Sequence, residues 1–334
     1  MRRSFLVLWL LFPSFVRAQE PVKLAPNKSD EPAIKAYSLD KAVEFLDTAA
    51  LQWTRQRECF TCHTNVAFLY ARPTISAKTP VHDEIRTALE TMVTQRWQDK
   101  KPRWDAEVIV SAAALAHNDS RTSKTLHPTT RAALDRMWTI QRPDGGWSWL
   151  ICGWPPMEND DHYGVTLAAL AVGVAPGDYA KTEAAALGLA KMKTYFQANP
   201  PKNAHHKGML LWAGSVVPDL VTPAEREAWH KEIRDLQRPD GGWSSSGLFP
   251  WKRGDKKEQT PEIADGYGTA FAIYVLRQSG VPANDPALAK GIAWLKDNQR
   301  ESGRWFSRSL FRDGSHYLSH AGTAFAIMAI KSCE

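Results

Sequence analysis

Gln141-Arg142-Pro143-Asp144-Gly145-Gly146-Trp147 is followed ninety-six residues later by the same seven residues, Gln237-Arg238-Pro239-Asp240-Gly241-Gly242-Trp243. A worn third copy stands at Gln299-Arg300-Glu301-Ser302-Gly303-Arg304-Trp305. A repeated Gln-x-x-x-Gly-x-Trp unit implies a fold built from copies. Behind each copy runs an apolar segment: Asp161-His162-Tyr163-Gly164, Asp265-Gly266-Tyr267-Gly268 and Ser319-His320-Ala321-Gly322 open the three, with their glycines aligned. The middle copy carries an insertion around 249–257.

Working outward, helical periodicity dominates and no alternating β-branched pattern appears. Six polar-faced helices are predicted near 39–56, 79–98, 126–141, 179–197, 222–237 and 284–299. Six further segments, 62–72, 105–117, 161–175, 206–217, 265–279 and 319–332, alternate with them. These are rich in Ala, Gly, Leu and aromatics and poor in charge, the composition of a buried helix. The alternation predicts an all-α fold, an (α/α)6 toroid with an inner ring of helices inside an outer one. The Gln-x-x-x-Gly-x-Trp units fall at outer-helix C-termini. There Gly takes a left-handed cap and Trp packs beneath the next turn, a structural clamp.

The 334 residues are 43% hydrophobic, enough for a sizeable core. A net charge of +6 from scattered Lys and Arg gives a nucleic-acid reading no support. Arg2, Arg3, the apolar run 5–12 and Val16-Arg17-Ala18 predict a signal peptide over 1–18. Residues 19–36 are expected to form a flexible lead-in, and 37–334 a single toroid. The expected address is periplasmic or extracellular. Four cysteines do not make a disulfide scaffold.

If the helices alternate in direction, all inner helices begin at one end, and their first residues converge on one mouth. Six of the ten histidines fall there: His63, His162, His205, His206, His316 and His320. Helix capping accounts for Asp161, Asp265 and Ser319 individually. It does not account for the Cys, His and Tyr beside them.

Cys59-Phe60-Thr61-Cys62-His63 has the spacing of a c-type haem attachment sequence. Cys59 and Cys62 would form thioethers, and His63 would be an axial ligand with His162, His206 or His320 opposite. Two other readings stay open. One is a metal site, with zinc held among Cys59, Cys62, Asp161, Asp265, His206 and His320. The other is a disulfide. A mouth packed tightly against 59–63 would favour zinc or the disulfide over a porphyrin.

The Gln/Trp repeats and alternating helices resemble the toroid of squalene and terpenoid cyclases and of protein prenyltransferase β-subunits. The resemblance covers roughly 39–332. Cyclases carry Asp-x-Asp-Asp, matched here by Glu158-Asn159-Asp160-Asp161 with Glu first. It implies Asp160 as a proton donor tuned by Asp161 and His162, which would require a raised pKa. The prenyltransferase zinc motif matches Asp265-Gly266-Tyr267, with Tyr in place of Cys, and His320. The resemblance implies an apolar, isoprenoid-like ligand among aromatics such as Trp104, Trp149, Trp154, Trp212, Tyr267, Phe271, Trp305, Phe306 and Tyr317, with peripheral membrane contact. The loops 147–156 and 249–251 are candidate lids. Two alternatives from other classes stand beside this: a haem-carrying electron-transfer protein on a toroid scaffold, and a non-catalytic envelope binding module.

Overall fold

The computed structural model describes residues 24–57, 60–76 and 78–334. The expected signal peptide and Cys59 lie outside the described residues. The outer helices are α1 (Leu39–Gln56), α3 (Pro80–Thr91), α5 (Pro128–Thr139), α7 (Glu183–Ala198), α9 (Pro223–Asp235) and α11 (Pro286–Asp297). The inner helices are α2 (Ala67–Ala71, opened by a π-helical turn Cys62–Val66), α4 (Asp105–Arg121), α6 (Asp161–Val174), α8 (Ala204–Gly214), α10 (Gly266–Gln278) and α12 (Tyr317–Cys333). The fold is therefore an α/α toroid of six helix pairs, as the alternation predicts.

Burial separates the two sets. In α10 every residue from Gly266 to Leu276 is buried, whereas α11 buries only Leu288, Gly291 and Leu295. Each inner helix touches the next, and α12 returns to α2 to close the ring. Local chemistry starts the outer helices. Thr222 accepts from the Glu225 N–H while Glu225 reaches back to the Thr222 N–H, a capping box ahead of Pro223.

The three clamps share one geometry. Gln141, Gln237 and Gln299 each donate from Nε2 to the carbonyl of Gly145, Gly241 and Gly303, at 3.0, 2.8 and 3.0 Å. The same amides also reach the next outer helix, at Gly188, Ala287 and Ser38. The third therefore ties the end of the chain to its beginning. Trp147, Trp243 and Trp305 are fully buried and donate to the carbonyls of Met137, Ile233 and Leu295. Gly303 sits at φ +91°, and a Cβ there would lie 2.0 Å from the Lys41 carbonyl oxygen. Only glycine meets both conditions.

The ring axis is filled. Trp212 packs edge-on against Tyr70, His117, Tyr274 and Phe325. Phe271 stacks on His205 and Tyr267 above them. Such aromatic pairs add about 0.5–1.5 kcal/mol each beyond their buried area. The interior expected to hold a ligand is thus occupied by its own side chains. The described part of the lead-in is strapped rather than loose: Glu31 pairs with the buried Arg304, and Arg304 donates to the carbonyls of Ala25 and Pro26.

Candidate metal centre at the ring mouth

Direct contacts link the starts of the inner helices. Asp105, opening α4, accepts the Ser148 N–H before α6 at 3.0 Å. His206 in α8 lies 3.1 Å from Asp160, the N-cap of α6. His205 Nε2 meets the Tyr267 hydroxyl of α10 at 2.9 Å. His63 at the head of α2 packs on Tyr317 of α12, ring centroids 5.9 Å apart. One mouth therefore gathers residues far apart in sequence.

Within it, His63, His316 and His320 each offer a ligand nitrogen, all within 4.8 Å of one another. The sequence explains the placement. His316 and His320 are four apart across the N-terminus of α12, the spacing that puts two side chains on one helix face. His63 sits in the π-helical turn opening α2, an irregularity that often marks functional sites. Thr64 fixes two of the rings: its hydroxyl lies 2.7 Å from His63 Nδ1 and 3.0 Å from His320 Nδ1. A hydroxyl has two acceptor lone pairs, so it can accept from both Nδ1–H groups, the tautomer that puts the two lone pairs on Nε2. Such outer partners are what orient metal-binding imidazoles. His316 Nε2 is buried without a hydrogen-bond partner.

The rings are neutral. Burial, then the proximity of His316, pulls His63 down to about 3. Burial and Arg57 lower His316; burial and the other two imidazoles hold His320 well below its ordinary value. Aromatic rings wall the group: Trp53 is edge-on to His63 at 5.2 Å, Trp154 lies 6.0 Å from it, and Phe45 is edge-on to His320 at 5.6 Å. His63 is left 2% exposed.

The other expected site residues fall elsewhere in the mouth. Asp161 pairs with Arg142 at 2.6 Å and accepts the Trp149 N–H. Asp265 accepts from the Ser245 N–H and hydroxyl and caps α10 through the Gly268 N–H. Ser319 does the same for the Ser307 N–H. In all three copies the aligned polar residue, Asp161, Asp265 or Ser319, holds the backbone N–H two residues past the clamp Trp, so Asp161 and Asp265 have their oxygens committed to the clamps. Of the five described members of the expected zinc set, Cys62, Asp161, Asp265, His206 and His320, only His320 joins the cluster. His206 is at Asp160, and the half-buried Cys62 thiol, pushed up by burial and by Glu158, is not among the converging donors.

Asp160 also differs from the acid that the resemblance implies. Burial would raise its pKa, but hydrogen bonds from His206, Asn159 and the Tyr163 N–H, with the His206 charge, hold it well below the usual carboxylate range. It is a poor proton donor there. His162 stacks on His206, centroids 4.2 Å and planes 5° apart, with both its nitrogens buried and unpartnered. Trp104, expected in the interior, is 52% exposed. Sequence reasoning placed His316 at the mouth but outside the donor set, and missed Thr64. The His316–His320 spacing was the available signal for the first. Nothing in the sequence marks the second.

No family model matches the chain, and no curated protein does. Solved structures do. An α-1,6-mannanase from Salegentibacter superposes with TM-score 0.56 at 10% identity, covering 88% of this chain and 99% of that one. A polysaccharide lyase matches at TM-score 0.52 and 13% identity, covering 88% and 96%. The ent-copalyl diphosphate synthase from Streptomyces platensis matches at TM-score 0.51 and 14%, covering 80% of this chain and 50% of that one. These likenesses show the α/α-toroid fold that glycosidases, lyases and terpene cyclases share, and a shared fold does not carry a reaction with it.

Proposed function

We propose that this is an exported α/α-toroid metalloprotein whose centre is a transition-metal ion held by His63, His316 and His320. The observation that carries the reading is three neutral imidazoles converging within 4.8 Å, two of them oriented by one threonine. Three nitrogen ligands with a fourth position open suit Zn²⁺, which when bound lowers the pKa of a water molecule and makes it a nucleophile near neutral pH. The chain's own residues supply the rest. Trp53, Trp154 and Phe45 exclude bulk water and hold the rings in place. Glu158, its carboxyl raised by burial, adds a titratable group on the loop that carries Trp154. The packed axis gives an isoprenoid-like ligand no support, so the mouth is the place for a substrate.

A second reading has its own observation: Cys59-Phe60-Thr61-Cys62-His63 is a haem attachment sequence. In that reading His63 would hold the iron through a ring nitrogen. The aromatic rings packed against His63 do not fit a flat macrocycle unless the Trp154 loop swings away.

Metal analysis and an absorption spectrum test both readings on protein made with and without haem-maturation machinery. Our reading expects colourless protein with one zinc per chain, lost in His63→Ala and His316→Ala. A Soret band that survives acid–acetone extraction would replace it with haem c. Protein without metal or colour after incubation with zinc would sink both.

A further inference from the structure

At the end of the ring opposite the mouth lies a cavity of about 790 Å³. It opens where the C-termini of α2 and α4 meet the N-termini of α3 and α5. Its charged and imidazole-bearing wall consists of Lys78, His82, Asp83, Arg86, Arg121 and His127.

Three observations give this wall a preference for anions. First, Arg121 donates to the Tyr274 hydroxyl at 3.1 Å. Among the described residues neither it nor Lys78 has a carboxylate at ion-pair distance. Arg86 is different, since Glu90 and Asp119 neutralise it. Second, α5 begins at this wall with no side chain capping its first N–H groups. A helix N-terminus of this length presents partial positive charge and open donors.

The third observation is a buried donor with nothing to bind. Arg86 Nη1 donates to Asn118 Oδ1 at 2.6 Å, which fixes the Asn118 amide. Its Nδ2 must then donate, to the Leu69 carbonyl at 3.2 Å and to His82 Nε2 at 2.8 Å. Because Nε2 accepts, the proton of the neutral ring sits on Nδ1. That Nδ1–H is buried and makes no hydrogen bond; the nearest carboxylate oxygen, on Asp83, is 3.5 Å away. His82 itself is 4% exposed. An orphaned donor in a native fold calls for a partner.

We propose that this cavity binds a phosphate monoester, its oxyanion held by Arg121, Lys78 and the His82 Nδ1–H. A bare phosphate would fill a small part of the volume. The Ser123 and Thr122 side of the wall would face the uncharged body of the ligand. Asp83 is largely exposed but keeps an oxygen 3.5 Å from the His82 Nδ1, so an oxyanion takes its place there only when this side chain swings out.

The test titrates the full chain by calorimetry with glucose 6-phosphate, inorganic phosphate and glucose. We expect glucose 6-phosphate to saturate, inorganic phosphate to bind more weakly and competitively, and glucose not to bind. Arg121→Gln and Lys78→Gln should each weaken the monoester by about tenfold or more, the effect of losing one charge-assisted contact. Arg312→Gln, which removes a cation elsewhere, should change nothing. Lys78 is exposed, so its variant tests the idea even if Arg121→Gln fails to fold. Equal binding of glucose, or anion binding that ignores both substitutions, would overturn the proposal. So would no binding of either anion at about 10 mM. None of these readouts depends on metal at the mouth.

Discussion

The clamps and half of the mouth are made from the same three stretches of chain, yet they behave oppositely. On the clamp side the copies are interchangeable: Gln to Gly carbonyl, Trp to a carbonyl ten residues back, and Asp161, Asp265 or Ser319 to the backbone beyond Trp. One residue further on they diverge, to His162, Gly266 and His320. His162 stacks on His206, Gly266 lies against the Trp305 backbone, and His320 joins the three-imidazole group. Repetition marks what holds the ring together. Departure from repetition marks where chemistry can sit.

The contrast is broken most directly at Trp305. It is fully buried and belongs to the clamp whose glutamine closes the ring onto Ser38. Trp305→Ala should cost about 3–5 kcal/mol in denaturant unfolding, the usual range for emptying such a site. His316→Ala should cost far less while abolishing metal binding. If the two losses are alike, clamp and mouth are not separate devices.

Acid should act on the histidines and spare the clamps. Burial holds His63, His117 and His162 down to about 3 in the folded chain. In the unfolded chain they titrate near 6.5. Between those values the unfolded state binds protons that the folded state refuses. Stability is therefore present above about pH 6.5 and is lost as pH falls toward 3, at up to about 1.4 kcal/mol per pH unit for each histidine. Unfolding free energy measured from pH 7 to 4 should fall with a slope of more than one proton. His117→Leu, at the axis, should flatten it by about one proton. A pH-independent profile would mean that these rings are solvated.

A smaller effect compares clamps with one another. Gln299→Ala removes three hydrogen bonds from a fully buried amide, two of them to Ser38. Gln141→Ala removes two from a less buried one. Each should cost about 1–3 kcal/mol, with Gln299 the larger. Thermal unfolding of both variants reads the order, and a reversed order would deny the third clamp its closing role.

The ring was legible in the sequence because its cause is local and repeated. The predicted helix over 39–56 coincides with α1, and each of the twelve predicted segments overlaps an observed helix. Edges moved where caps decide them: α8 starts at Ala204 because Asn203 accepts the His206 N–H, and α7 starts at Glu183 after a separate 3-10 turn, Tyr179–Lys181. The site was half legible. Alternating direction brings the inner-helix starts together, and that needs no side-chain detail. Which starts touch depends on ring order and on which way each side chain turns. Asp161 and Asp265 look like ligands in sequence because carboxylates that hold backbone N–H groups and carboxylates that bind metals are the same residue types. Thr64 looks like nothing, since its role exists only when α12 lies beside α2.

The finest test of the comparison is Asp161→Asn. Asp161 was a candidate both for zinc and for tuning an acid, yet it binds Arg142 and the Trp149 N–H. Asn keeps the shape and one acceptor oxygen, so the Trp149 contact survives while the negative charge facing Arg142 is lost. Both side chains are partly exposed, with relative accessibilities of 31% for Arg142 and 30% for Asp161, so solvent screening limits the loss. It should be about 1 kcal/mol or less. Metal content should not change, because no imidazole of the His63 group touches Asp161. Stability and zinc stoichiometry measured on the same preparation decide the matter. A variant of wild-type stability that has lost its metal would return Asp161 to the metal centre and erase the line drawn between clamp and ligand.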